Sequence, residues 1–335
     1  MKITDKNISR KEAITVEFFY ELVKDRFEVK LLNGNADLNR KITEQNLHRP
    51  GLALAGFVDL FSYNRVQLFG NTEMRFLYRL TPEERIRSLE RIMKFQIPCI
   101  IITNNNEPTK ELLELSEKNK VPLFKTIYST NKIAFFIHDV LDDQFAPRIS
   151  IHGSFVDVYG VGILIVGKSG IGKSEVALDL VERGHRLVAD DVVIFTKKGE
   201  GILMGTGTDL VKHFMELRGI GIINVHKIFG IRSIRYQKRL EVIIELELWN
   251  EKENYTRTGL DFQTVTIQDV EIPYIRLPIV PGKNITVIAE VIALNYLLKH
   301  YGYDSAKDFQ NRLANKLKEK NKFNRSIDYF EHDFE

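Results

Sequence analysis

The 335-residue chain contains a single cysteine, Cys99, so an internal disulfide is excluded and a disulfide-framed fold with it. Cys99 sits in the apolar run IPCIIIT, where a small buried hydrophobe is expected rather than a nucleophile. Also missing is any run near the ~18 apolar residues that a membrane-spanning helix needs. The first residues, MKITDKNISRKEAITVEFF, carry scattered charges and lack the apolar centre of a secretory leader. Dense Lys/Arg clusters interleaved with aromatics do not occur, and a formal net charge of +3 is too small to argue for nucleic acid. Repeats and low-complexity tracts are absent as well. The expectation is a soluble, cytoplasmic protein with no membrane or nucleic-acid partner.

What is present describes two α/β domains, since a chain this long exceeds what one hydrophobic core usually serves. In the first third, TVEFFYELVKDRF has helical apolar spacing, and GLALAGF and VQLFG read as short buried strands. TPEERIRSLERIMKF opens with Thr81 as N-cap, Pro82 at the first helical position and acids in the first turn. IPCIIITNN, PTKELLELSEKNK and VPLFKT then form one strand–helix–strand unit. The reading assigns residues 1–127 to a small N-terminal α/β domain, 128–322 to a C-terminal domain and 323–335 to a tail. The second domain opens with a helix over STNKIAFFIHDVLDDQFA, closed by Pro147, followed by two or three strands in RISIHGSFVDVYGVGILIVG. It continues through alternating strands such as RLEVIIELELW and ends in two helices.

Gly167, Lys168, Ser169, Gly170, Ile171, Gly172, Lys173 and Ser174 fit the pattern G-x-x-x-x-G-K-[ST]. The strand-like GILIV leads in, and SEVALDLVERG leads out as an amphipathic helix ended by Gly184. In such a loop the glycines let backbone N–H groups converge on phosphates, and the helix N-terminus adds its positive dipole end. Lys173 then reaches the β/γ oxygens of ATP, and the Ser174 hydroxyl ligates Mg²⁺. Downstream, HRLVADDVVIF reads as a strand with two acids, Asp190 and Asp191, whose burial without cations would be costly. One helix separates them from Ser174, so that strand can lie beside the phosphate-loop strand. One carboxylate would support Mg²⁺, and the other would meet an incoming hydroxyl. Which acid does which is not fixed by spacing, and a solvated strand-end turn is the plainer alternative.

Further candidates stand with equally plain alternatives. Glu216, in HFMELRGIGIINV, offers a second hard oxygen to Mg²⁺, though with Arg218 it also reads as an ordinary solvated pair. His152 in SIHGSF reads either as chemistry or as hydrogen-bonded packing. Arg257 in YTRTGL and Lys283 in LPIVPGKN read as phosphate ligands or as turn decoration.

Taken together these segments resemble the HPr kinase/phosphorylase family over nearly the whole chain. RPGLALAGF is similar to its N-terminal domain, GVGILIVGKSGIGKSEVALDLVERGHRLVADD to its nucleotide loop and acidic pair, and MELRGIGIINV to its signature segment. RTGL and VPGKN fall where its late motifs fall. The resemblance implies a C-terminal P-loop kinase core like that of phosphoenolpyruvate carboxykinase, joined to a small α/β domain. It implies ATP- and Mg²⁺-dependent phosphorylation of a serine on the phosphocarrier HPr, with pyrophosphate as a second possible donor in family members. In reverse, inorganic phosphate attacks the phosphoserine and pyrophosphate leaves.

Carried over, Asp191 is proton acceptor forward and donor in reverse, and His152, Lys173 and Arg257 are catalytic. Ser174 and Glu216 are metal ligands. Met215 to Asn224 corresponds to a region needed in both directions, and Pro278 to Lys283 to one tied to dephosphorylation. A homohexamer is implied too. The chain departs from the family at the late motif: an arginine on each side of Pro-Gly is expected there, and Val280 and Lys283 stand in those places. That predicts phosphorolysis weak relative to kinase activity. The rival readings are a P-loop ATPase or GTPase switch, although no Asn-Lys-x-Asp guanine motif is present, and a nucleotide-sensing regulator that only binds.

Overall fold

Alternating apolar strands and amphipathic helices in the first third build a sheet buried on both faces. The computed structural model describes residues 8–199, 201–208, 210–250, 263–280 and 282–322, with side chains up to 317. Among the described residues Ser9–Pro147 forms one unit, and Ile8 with the chain from Arg148 onward forms the other.

In the first unit the main sheet is built of β1 (Lys30–Leu31), β2 (Leu47–His48), β3 (Val66–Phe69), β4 (Ile100–Ile102) and β5 (Leu123–Lys125), in the order β1-β5-β4-β3-β2. All neighbours run parallel except β1, which pairs antiparallel with β5. Alternation splits each strand between two cores. Leu68, Ile101 and Phe124 face α1 (Val16–Val23), while Phe69, Ile102 and Leu123 face the helices on the other side. Those are α2 (Gly51–Ala55), α3 (Asn71–Arg79), α4 (Pro82–Met93) and α5 (Lys110–Lys118). α4 starts as its sequence dictates, with Thr81 and Glu84 exchanging cap hydrogen bonds and Pro82 at the first position. Cys99 is buried, and burial pushes its thiol well above the usual range, as expected of a packing residue.

Two expectations are revised. GLALA is a helix rather than a strand: it is ended by Gly56 in the left-handed conformation at φ 114°, and Ala and Leu favour a helix where no β-branched residue intervenes. α6 (Thr130–Phe145), grouped by sequence with the second domain, packs in the first unit. Its buried stripe of Ile133, Ile137, Leu141 and Phe145 completes the core around Phe19 and Phe124.

The second unit stacks two sheets. One has the order β9-β7-β8-β15-β17-β16, with β7 Ser154–Val158, β8 Val161–Gly167, β9 Arg186–Ala189, β15 Val242–Leu248, β16 Gln263–Ile267 and β17 Val270–Ile279. The other contains β6 (Arg148–His152), β10 (Val192–Lys198), β11 (Ile202–Gly207) and β14 (Lys238–Arg239) in that order. Ile163, Ile165, Ile244 and Leu246 face α7 (Lys173–Glu182) and α9 (Ile285–His300). Leu164, Val166 and Ile243 face the other sheet, where Phe155 meets Phe195 edge-on with centroids 5.3 Å apart. A separate hairpin, β12 (Phe214–Leu217) with β13 (Gly221–Asn224), leads into α8 (Val225–Phe229). α10 (Ser305–Lys322) closes the described chain.

Candidate active site

The loop after β8 turns directly into α7. Its N-cap, Gly172, is left-handed at φ 101° and supplies no side-chain cap, so the first N–H groups of the helix stay available to an anion. Gly170 also has positive φ, 76°, and a Cβ built there would lie 2.6 Å from the Arg218 guanidinium. Arg218 therefore rests directly on the loop. Lys173 folds back across it, its Nζ 3.4 Å from the Gly167 carbonyl and 3.3 Å from that of Lys168. Ile171 turns inward and packs on the core under α7.

The two acids do not lie within one strand. β9 stops at Ala189, β10 starts at Val192 in the other sheet, and the acids form the corner between. Asp191 takes the left-handed conformation at φ 65°, which Asp adopts more readily than most residues. Nor does β9 lie beside the phosphate-loop strand, because β7 intervenes. The corner still delivers both carboxylates to the loop, and gives them opposite surroundings. Asp190 is buried at 3% exposure and accepts from Ser174 Oγ at 2.9 and 3.1 Å. It also accepts from Ser154 Oγ at 2.5 Å and from the backbone N–H groups of Asp191 and Glu216. Burial raises its pKa above the usual carboxylate range, and the hydrogen bonds from Ser154 and Ser174 work against that rise. Asp191 is 73% exposed, and its Oδ1 lies 3.6 Å from His152 Nδ1. Pairing of β6 with β10 sets Val192 opposite His152 and so brings the histidine to the corner.

Ser169, Gly170, Gly172, Lys173, Ser174, Glu175, Asp190, Asp191, Glu216 and Arg218 line one cleft with a cavity volume of about 150 Å³. Expected site residues from three separate segments thus converge. His152 stands beside the cleft through Asp191, and Arg257 lies outside the described residues. Sequence reasoning passed over Ser154 and treated Arg218 as surface. Alternation could have signalled Arg218, since it lies two residues from Glu216, whereas nothing in the sequence links Ser154 to Ser174 twenty positions away.

A glycine-rich loop at the carboxyl end of a parallel strand, running into a helix beside a Ser–Asp pair and an exposed acid, defines a P-loop nucleotide-binding protein of the phosphotransferase type. Comparison with known proteins is more specific. Family models described as HPr Serine kinase N terminus and HPr Serine kinase C-terminal domain match residues 15–141 and 143–313. The chain belongs to the HPr serine kinase family. It is 55% identical over 332 residues to the HPr kinase/phosphorylase of Chloroherpeton thalassium, covering 97% of this chain and 98% of that one. It is 53% identical to the HPr kinase/phosphorylase of Prosthecochloris aestuarii, covering 91% and 90%. A solved structure of the HPr(Ser) kinase/phosphatase from Coxiella burnetii is 35% identical over 48% of this chain and 97% of that one, with a TM-score of 0.43. Among the described residues no helix is long and apolar enough to cross a membrane.

Proposed function

We propose that this protein transfers the γ-phosphoryl group of ATP to a serine of HPr and reverses the transfer with inorganic phosphate, releasing pyrophosphate. The observation that carries the reading is the convergence of Lys173, Ser174, Asp190, Asp191 and Glu216 on one cleft. In the forward step the serine oxygen attacks the γ-phosphorus, the bond to ADP breaks, and Asp191 takes the serine proton. In reverse, a phosphate oxygen attacks the phosphoserine phosphorus, the serine oxygen leaves, and Asp191 returns the proton. An exposed carboxylate suits this exchange because the acceptor arrives on another protein. His152, 3.6 Å from Asp191, is too far for a direct hydrogen bond but within ion-pair reach, and steers that carboxylate.

The phosphates of ATP take the open N–H groups of α7 and the Lys173 ammonium, with the Arg218 guanidinium alongside. For Mg²⁺ the donor set fits: the Ser174 hydroxyl, bonded to the Asp190 carboxylate, and the Glu216 carboxylate are hard oxygen ligands of the number this ion takes when phosphates and water complete its shell. When bound, the ion offsets negative charge on the β and γ oxygens. Arg257 is kept as an active-site cation, and the Val280–Lys283 turn as the contact for inorganic phosphate. The reading retains a cytoplasmic site of action.

Homohexamer assembly is part of the proposal. Ile220 and Ile222, each 74% exposed around the β12–β13 hairpin, support self-association through apolar surface. Light scattering should give six protomers, and a monodisperse monomer would remove this part.

Asp191→Asn tests the chemistry. ATP binding should stay within about twofold, while transfer to HPr falls by about 10²–10⁴ in both directions. A nucleotide sensor would keep its function in that variant, a hydrolytic switch would turn over ATP without HPr, and retained transfer would remove Asp191 from its role.

A further inference from the structure

Two helices of the second unit are tied by side chains that take no part in the cleft. Thr286 Oγ1 donates to Asp179 Oδ2 at 3.1 Å. One turn along, Arg183 Nε and Nη2 donate to the two carboxylate oxygens of Glu290 at 2.9 and 2.7 Å. His185 Nε2 lies 3.0 Å from Glu290 Oε1. Asp179 and Arg183 are four residues apart, as are Thr286 and Glu290, so the contacts form two rungs between facing rows of α7 and the α7 end on one side and α9 on the other. The second rung is buried on the Glu290 and His185 side, at 6% and 5% exposure, with the Tyr159 ring edge-on to the imidazole at 4.6 Å, while the Arg183 side chain is 46% exposed. Apolar residues such as Leu180, Ala289 and Ala293 surround it. An ion pair with its carboxylate buried is a poor source of stability compared with packed hydrocarbon, but it sets which residues of the two helices face each other.

The register matters because of what each helix follows. α7 begins at Lys173, in the phosphate loop after β8. α9 begins at Ile285, two residues after Lys283, in the turn after β17 that the Lys283 N–H closes on the Val280 carbonyl at 3.1 Å. β8, β15 and β17 are parallel neighbours with Gly167, Leu246 and Leu277 in register. Both loops thus leave one sheet edge, about 10 Å apart at two interstrand spacings. α7 is held independently of the rungs by buried Ala177, Leu180 and Val181 and by the Ser174–Asp190 bond. α9 has four buried residues, Thr286, Ala289, Glu290 and Ala293, two of them in the rungs, and its Ile285, Ile288, Ile292, Tyr296 and Leu297 pack beside them against the same core. The rungs are the polar part of what seats the first turns of α9, so loosening them acts on α9 and the turn ahead of it more than on α7.

We infer that Glu290 is a positioning residue: through the two rungs it sets Lys283 against the phosphate loop, and so governs binding of inorganic phosphate without governing that of ATP. The inference rests on the reading of the Val280–Lys283 turn given above.

The test uses Glu290→Gln, Thr286→Val and Lys283→Ala in the full chain. Forward rates are measured with MgATP and HPr, and reverse rates with phosphoserine-HPr and inorganic phosphate. Glu290→Gln should raise KM for phosphate about tenfold while KM for ATP and forward kcat stay within about twofold. Thr286→Val should shift the same constant the same way by less, and serves if Glu290→Gln folds poorly. Equal losses in both directions, or a lowered melting temperature with an unchanged phosphate KM, would overturn the inference. Lys283→Ala separates it from its premise. If that variant leaves the phosphate KM unchanged, the reading of the turn fails; if it raises KM while the rung variants do not, only the positioning role fails.

Discussion

Asp190 and Asp191 are chain neighbours with opposite environments, and the corner between two sheets is the cause. One carboxylate is walled in by two serine hydroxyls and two backbone N–H groups, and the other projects into solvent beside His152. Truncating Asp190 to Ala would strand the buried Ser154 hydroxyl and the N–H groups, at a cost of about 1–3 kcal/mol. Chemical denaturation should register that loss together with weaker ATP binding. Glu290 gives a cleaner pH test. Hydrogen bonding from Arg183, then from His185, holds its carboxyl below the usual range. A depressed carboxylate contributes stability that is present above the unfolded value of ~4.3 and lost as pH falls through the lower folded value. The melting temperature of Glu290→Gln should therefore fall less steeply than wild type as pH drops through and below ~4.3; parallel curves would show that the pair carries no linkage. Charge identity at the loop was legible in sequence, since only Lys173 and Ser174 fit their pattern positions. The buried partner of Ser174 was legible only as one of two acids, because spacing does not reveal which one a corner turns inward.

At the scale of elements, periodicity served where it was strong. α4, with a full capping box and a clean stripe, is as expected, and so is the β4–α5–β5 unit. GLALA was misread because five apolar residues fit a buried strand as well as a helical turn, and only the flanking Pro50 and Gly56 separate the two. α6 was assigned to the wrong side of the boundary for a similar reason: its stripe declares that it is buried but not against what. Ile137 is fully buried in the first unit's core. Ile137→Ala should destabilise that unit by about 2–5 kcal/mol and leave ATP affinity of the folded protein unchanged, as calorimetric melting and nucleotide titration would show. A matching loss of ATP affinity would mean that the cleft depends on that core.

For the whole molecule, the sequence carried the family through several motifs at once, and the fold explains why those motifs had to be scattered. Phosphate loop, acid corner and signature hairpin come from separate segments, and their residues line one cleft. Arg257 lies outside the described residues, so its contribution rests on the resemblance. Val280 and Lys283 stand where two arginines are expected from the resemblance, and on the proposed reading an alkyl group and a point charge in place of planar forks should weaken the grip on inorganic phosphate. Both the reversible reaction and its bias are read in one assay: γ-labelled ATP with Mg²⁺ and purified HPr, followed by excess inorganic phosphate. The account predicts label on an HPr serine, then slow appearance of labelled pyrophosphate at a rate well below that of the forward step. Label released as free phosphate without ever residing on HPr would contradict it.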